Sequence, residues 1–429
     1  MTLVKKKQII PIHDINIRIL LVFLTSWIIA FLFLVFIPAN AIESNIPFLL
    51  LINITFIITV LCFAILTYTI IPKPEMFYIR NNIDFIHFKK NISFLSYAPI
   101  IGILMILYDR VVLRGIDYSH GLRTARYAWL ETVGGSFFGV LGNLLVPFSY
   151  IGIFFLVKYY NQISLRQKTF LLLAIFSGIV GHAALNGGRS NLLLALVIFI
   201  IALLFKHKST IAFYKLTKTK ILLTSILLIS FMYVNSITKE SATMGDASMH
   251  TLVQLGTEAL YGVPDSTFYN STHSELIYFL IYSLSYLYHG QWTTQAAIAA
   301  PQREGSYASP PVLYQLGVID PPAPGINLFS DTGAFISLPG AFYYDGGLMG
   351  LLSLSVVLGI SLGIIFIMVS FSKTIGGFKM AFIVAILYIL ILSPILPAYG
   401  LSYFNFILFA FIAHSAINTI FFKKNINYL

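Results

Sequence analysis

Ten stretches of this chain run long enough without charge to cross a lipid bilayer, and nothing else in the sequence constrains the fold as strongly. They lie near 19 to 37, 48 to 71, 92 to 108, 137 to 157, 169 to 186, 191 to 205, 221 to 236, 347 to 371, 380 to 396 and 401 to 421. About 20 apolar residues span the hydrocarbon core as a helix, and in lipid only a helix satisfies its own backbone polar groups. With 58% hydrophobic residues and 10% charged, the chain lacks the polar surface of a soluble fold. The expectation is an all-α, polytopic membrane protein of about ten spans, a single integral membrane domain over 1 to 429. The first apolar stretch, followed by Pro38-Ala39-Asn40-Ala41, imitates a signal peptide but is too long for one, so it is read as a retained span.

Charge sets the expected orientation. With the N-terminus in the cytoplasm, 20 of the 27 cations fall in cytoplasmic segments, as the positive-inside rule requires. Outward segments keep only Arg110, Arg114, Arg123, Arg126, Arg189, Lys239 and Arg303. Both termini are then cytoplasmic. The net charge of +11 reads as topology, with no nucleic-acid partner, because the cations sit in short loops between apolar runs. Cys62, the single cysteine, lies in an apolar run and excludes an intrachain disulfide.

Two outward loops follow, a medium one over 109 to 136 and a large one over 237 to 345. The large loop carries helical pattern at 248 to 262 and 274 to 299, then prolines at 310, 311, 321, 322 and 324. The run Leu276 to Tyr288 has only a 13-residue apolar core rich in Tyr and Phe, which suits a helix in the interface or dipping part way. Thr272 to Glu275 reads as its capping box.

Within the spans only His182 and His414 can ionise, which counts against ion-coupled transport, and both read first as packing residues. The outward arginines carry the sharper signal, since a guanidinium grips phosphate oxygens in a bidentate way. Arg189, in Asn186-Gly187-Gly188-Arg189-Ser190, combines glycines that admit close backbone approach with a helix N-terminus. Arg123 and Arg126 share a helix face; Arg303 stands beside Glu304. All have an ordinary reading as span anchors or ion-paired surface groups. Nine acids and three histidines populate the large loop, most of them simply solvated. Asp331, Asp345, Glu304 and His289 are the candidates for a base that activates a hydroxyl. No P-loop, dinucleotide fingerprint or metal box occurs, so neither cofactor nor metal is expected.

Three segments resemble the O-antigen and oligosaccharide repeat-unit polymerases of the Wzy type. They are Asn186 to Asn191, the approach Tyr343-Tyr344-Asp345-Gly346-Gly347-Leu348-Met349-Gly350, and the basic stretch Arg123 to Arg126 ahead of Gly134-Gly135. The resemblance implies glycosyl transfer at the periplasmic face of the bacterial inner membrane. There a glycan on undecaprenyl pyrophosphate passes to a hydroxyl of another lipid-linked repeat unit, without metal or nucleotide sugar, and a polysaccharide such as O-antigen or capsule grows. Arginines 189, 303, 123 and 126 would hold the pyrophosphate. Membrane lipids and a chain-length-regulating membrane protein are the other implied partners. The O-antigen ligases share this layout but place a histidine shortly before the Gly-x-x-Gly segment. Here none occurs between His289 and His414. A lipid-linked glycan transporter is the alternative of a different class.

Overall fold

The computed structural model describes residues 12–41, 45–72, 83–119, 136–186, 190–206, 262–271, 274–299, 336–371 and 378–422, with single positions at 125, 128, 129, 210, 213, 250, 251, 254, 257 and 258. Helices are α1 (Ile12–Phe36), α2 (Ile46–Ile70), α3 (Ile83–Leu107), α4 (Phe137–Leu145), α5 (Phe148–Tyr159), α6 (Leu165–Phe176), α7 (His182–Asn186), α8 (Ser190–Lys206), α9 (Ser266–Tyr269), α10 (Glu275–Ala299), α11 (Leu338–Phe371), α12 (Phe378–Leu392) and α13 (Ser402–Phe422). Short strands β1 (Ala39–Ala41) and β2 (Gly262–Pro264) pair antiparallel.

Six helical stretches are long and apolar enough to cross a membrane: Asp14–Phe36, Ile46–Ile70, Asn91–Leu113, Phe137–Gln162, Leu165–Leu185 and Leu338–Phe371. Three further apolar helices, Ser190–Lys206, Phe378–Leu392 and Tyr403–Ile417, are shorter. The expected span at 221 to 236 lies outside the described residues. The protein is thus an all-α membrane protein, with fewer full-length crossings among the described residues than the ten apolar runs lead one to expect. The Ser393-Pro394 turn stops α12 because proline has no N–H to continue the ladder. Large apolar side chains stand outward, Val35 and Phe36 at about three-quarters exposure, a surface that lipid covers.

Contacts sort the helix ends onto two faces. At the near face, Arg18 Nη1 donates to the Leu204 carbonyl at 2.8 Å and Asn16 donates to Ser370 Oγ at 3.0 Å. The starts of α1 and the ends of α8 and α11 therefore share this face. At the far face, the β1–β2 ribbon ties the α1–α2 connection to the large loop. Helices α2 and α11 run parallel, as the ring pairs Phe48–Tyr343 and Tyr68–Phe366 show. They touch where Gly359 and Gly363 lie against the carbonyls of Val60 and Ala64, the small-residue contact that lets helix backbones approach in lipid.

Helix α10 changes character along its length. Glu275, Leu276 and Ile277 are exposed, whereas His289 to Gln295 are buried. The buried half carries many polar groups, and they find partners. Gln291 accepts from Asn53 at 2.8 Å and donates to the Pro394 carbonyl at 2.6 Å, and Thr294 meets Ser337 at 2.7 Å. Thr272 and His273 of the expected capping box lie outside the described residues. Ahead of α10, Asp265 caps α9; the Thr267 hydroxyl, then its amide, hold the carboxyl below the usual carboxylate range.

Helix α11 breaks at Gly347, whose φ is +59°, a conformation that side chains resist. Gly346 has open space where a Cβ would stand. Gly347→Ala is therefore expected to lower unfolding stability by about 1–2 kcal/mol, with Gly346→Ala close to neutral, as read by thermal unfolding in detergent.

Candidate far-face arginine cleft

A π-turn borders a cleft at the far face: Tyr108–Leu113 continues α3 and carries Asp109 and Arg110, and a second, Ser177–Gly181, leads into α7. Such bulges redirect side chains that a regular helix would place elsewhere. The cleft encloses about 280 Å³ between Ile106, Asp109, Arg110, Arg114, Trp129, Gly139, Asn143 and Phe406.

Arg110 is 2% exposed. Its guanidinium lies 4.3 Å from the centre of the Trp129 ring and donates through Nη1 to the Leu185 carbonyl, to which the Tyr118 hydroxyl also donates at 3.3 Å. Leu185 sits where α7 ends, one residue before Asn186. Arg110 thus anchors the chain at Leu185, four positions before Arg189 in sequence. Arg114 pairs with Asp109 at 3.1 Å. Asp109 in turn rests against Gly139 near the start of α4, where a Cβ would stand 2.8 Å from its Oδ2. A carboxylate near a helix N-terminus is favoured by the peptide dipoles, so a resident anion already occupies this spot.

Beneath the cleft lies His182, 1% exposed. Asn143 Nδ2 donates to the Gly139 carbonyl at 2.8 Å, which leaves Asn143 Oδ1 to accept from His182 Nε2 at 3.1 Å. Asn191 Nδ2 meets His182 Nδ1 at 2.7 Å. This pattern fits the neutral ring with its proton on Nε2. The imidazole stacks on Tyr403 at 4.3 Å. His182 thereby ties α7 to Asn191 of α8 and to Asn143 of the cleft wall, a packing role of the kind the sequence suggested.

Of the residues singled out by sequence, Arg189, Arg303, Glu304, Asp331, Arg123 and Arg126 lie outside the described residues. The described chain passes next to several of them. It leaves α10 at Ala299, four positions before Arg303, and it flanks Arg189 at Asn186 and Ser190. Asp345 is half-buried, about two turns into α11, and the neighbouring Tyr344 packs in a cluster with Ala297 of α10. His289 is fully buried inside the bundle. That placement removes it from a solvent-facing loop, because its helix is drawn into the protein by the polar contacts of Gln291 and Thr294.

An aromatic face on the segment 399 to 406 links these parts. Tyr399 feels Asp345; Tyr403 covers His182; Phe406 lines the cleft. Burial, then the Asp345 carboxylate, push the Tyr399 hydroxyl above its ordinary pKa, so it stays a neutral donor. Among the described residues no group of three or more His, Cys, Asp or Glu side chains could hold a metal ion.

Sequence reading counted Arg110 and Arg114 among the outward cations but passed over them as site residues. Their signal was position, at the outward end of a span, where charge is scarce. No protein-family model, curated protein or solved structure matches the chain. Fold and cleft together define a polytopic helical membrane protein with an arginine-lined cleft at one face.

If the cleft takes anions, the resident carboxylate competes with them. Asp109→Asn is expected to tighten binding of inorganic pyrophosphate about fivefold, measured by titration calorimetry on the purified protein, and an unchanged or weaker affinity would count against an anion site here.

Proposed function

We propose that the protein is a metal-independent glycosyltransferase that polymerises lipid-linked oligosaccharide repeat units at the outward face of a bacterial inner membrane. One observation carries this reading: a cleft bearing two arginines reaches, through the Arg110 to Leu185 contact, the described end of the chain just before the 186 to 191 segment. Under the positive-inside rule the far face, which holds this cleft, is the outward one. The substrate would be a glycan on undecaprenyl pyrophosphate, and the resemblance of the 186 to 191 and 343 to 350 segments to repeat-unit polymerases supports the choice.

In the reaction, the bond between the sugar anomeric carbon and the pyrophosphate oxygen breaks, and its electron pair leaves with the diphosphate. The acceptor hydroxyl oxygen forms the new bond, and its proton passes to a carboxylate. Arg189 and Arg303, with Arg123 and Arg126, would stabilise the charge on the departing group, a preorganised electrostatic effect. A diphosphate is a good leaving group, so little acid help is needed. Asp345 is the described carboxylate suited to receive the proton. It is half-buried beside Tyr399, whose phenol can hold an acceptor oxygen by donation.

Arg189→Ala and Arg303→Ala are expected to lower elongation by about 10²-fold or more while the protein still inserts at normal levels. Purified protein mixed with short lipid-linked repeat units should yield a ladder of longer products. Relocation across vesicles without lengthening would instead identify a transporter, and attachment of a finished glycan to a different lipid would identify a ligase.

A further inference from the structure

The arginine cleft does not end at its polar wall. On the same seam between α3 and α4 a second, almost wholly apolar groove of about 270 Å³ is lined by Ile101, Leu104, Met105, Tyr108 and Phe138. No lining residue is common to the two spaces, but consecutive residues wall them: Tyr108 precedes Asp109, and Phe138 precedes Gly139. The ring pair Tyr108–Phe138, 5.1 Å between centres, stands at the boundary. The seam is held by glycines. Gly102 and Gly142 each face the other's carbonyl, at 2.9 and 2.7 Å from where a Cβ would stand. Beside this close contact Ile101 and Leu104 of the groove are exposed.

We infer that this groove carries the hydrocarbon chain of a lipid whose phosphate or diphosphate headgroup sits in the arginine cleft, so that the ligand enters sideways from the bilayer. The inference rests on the anionic headgroup proposed above and adds the path of its chain. Charge decides the occupant's polarity. Guanidinium groups stand at one end, and at the other is apolar surface extending from Tyr108 to Ile101, about 10 Å of helix. A soluble sugar phosphate has nothing to place there. A zwitterionic phospholipid would bring its cation next to Arg110 and Arg114. A single long chain on an anionic head fits both ends, with a length that runs on into the bilayer beyond Ile101.

The test compares three probes on the purified protein in nanodiscs: inorganic pyrophosphate, a two-unit isoprenyl diphosphate and a long-chain isoprenyl diphosphate. Leu104→Trp fills the groove from its lipid-facing wall and touches neither arginine; its melting temperature serves as the folding control. The expected result is that Leu104→Trp weakens the long-chain and two-unit diphosphates about tenfold, roughly 1.4 kcal/mol, and leaves inorganic pyrophosphate unchanged. Met105→Trp, on the same wall, is a second variant should Leu104→Trp fail to fold. Equal affinities for isoprenyl diphosphates in wild type and groove variants would place the chain elsewhere and overturn the inference while leaving the headgroup site intact. Failure of all three probes to bind, or binding indifferent to Arg114→Ala, would overturn the headgroup site itself.

Discussion

A helix that ends within a membrane leaves carbonyls that water cannot reach, and each costs several kcal/mol unless another element supplies a donor. Among the described residues, donors from distant parts of the chain meet backbone carbonyls at several such points. Arg110 and Tyr118 donate to Leu185 where α7 ends. Arg18 donates to Leu204 near the end of α8, Gln291 donates to Pro394, and the Leu338 amide donates to Ser393 in the turn after α12. Each donor comes from a distant part of the chain. The bundle is therefore tied together at its helix ends as well as by its apolar faces.

Function grows out of the same contacts. Arg110, held at the Leu185 carbonyl and against the Trp129 ring, forms part of the cleft wall. An anion bound there would meet groups already held in place by Leu185, Trp129 and Asp109. His182 keeps the floor of this region fixed without taking a charge, since both ring nitrogens are engaged by asparagine side chains. Asp345 and Tyr399 stand at the other end of an aromatic face that begins at Phe406. The arrangement suits a ligand with a charged head at one end and a hydroxyl-bearing body at the other.

Much of the architecture was legible in the residues because lipid permits so few solutions. Apolar runs mark the helices, and scarcity of cations marks one face. The limits of legibility are also physical. α12 reads as a full span by hydropathy, yet Pro394 ends its ladder early. The run Leu276 to Tyr288 reads as interfacial because its apolar core is short and rich in Tyr and Phe; the burial of Gln291, Thr294 and Gln295 beyond it depends on partners at Asn53, Ser337 and Asn45. Arg110 could not be assigned from sequence, since its partner lies 75 positions away and the π-turn that aims it has no sequence signature.

Placement of the arginine cleft on the outward face is the point from which the functional account proceeds, and thiol labelling reads it most directly. With Cys62→Ala to remove the native thiol, Ser119→Cys introduces a cysteine at an exposed position just beyond Tyr118. The account predicts that a membrane-impermeant maleimide labels this cysteine in spheroplasts with sealed membranes. Labelling only after the membrane is permeabilised would put the cleft in the cytoplasm and contradict it.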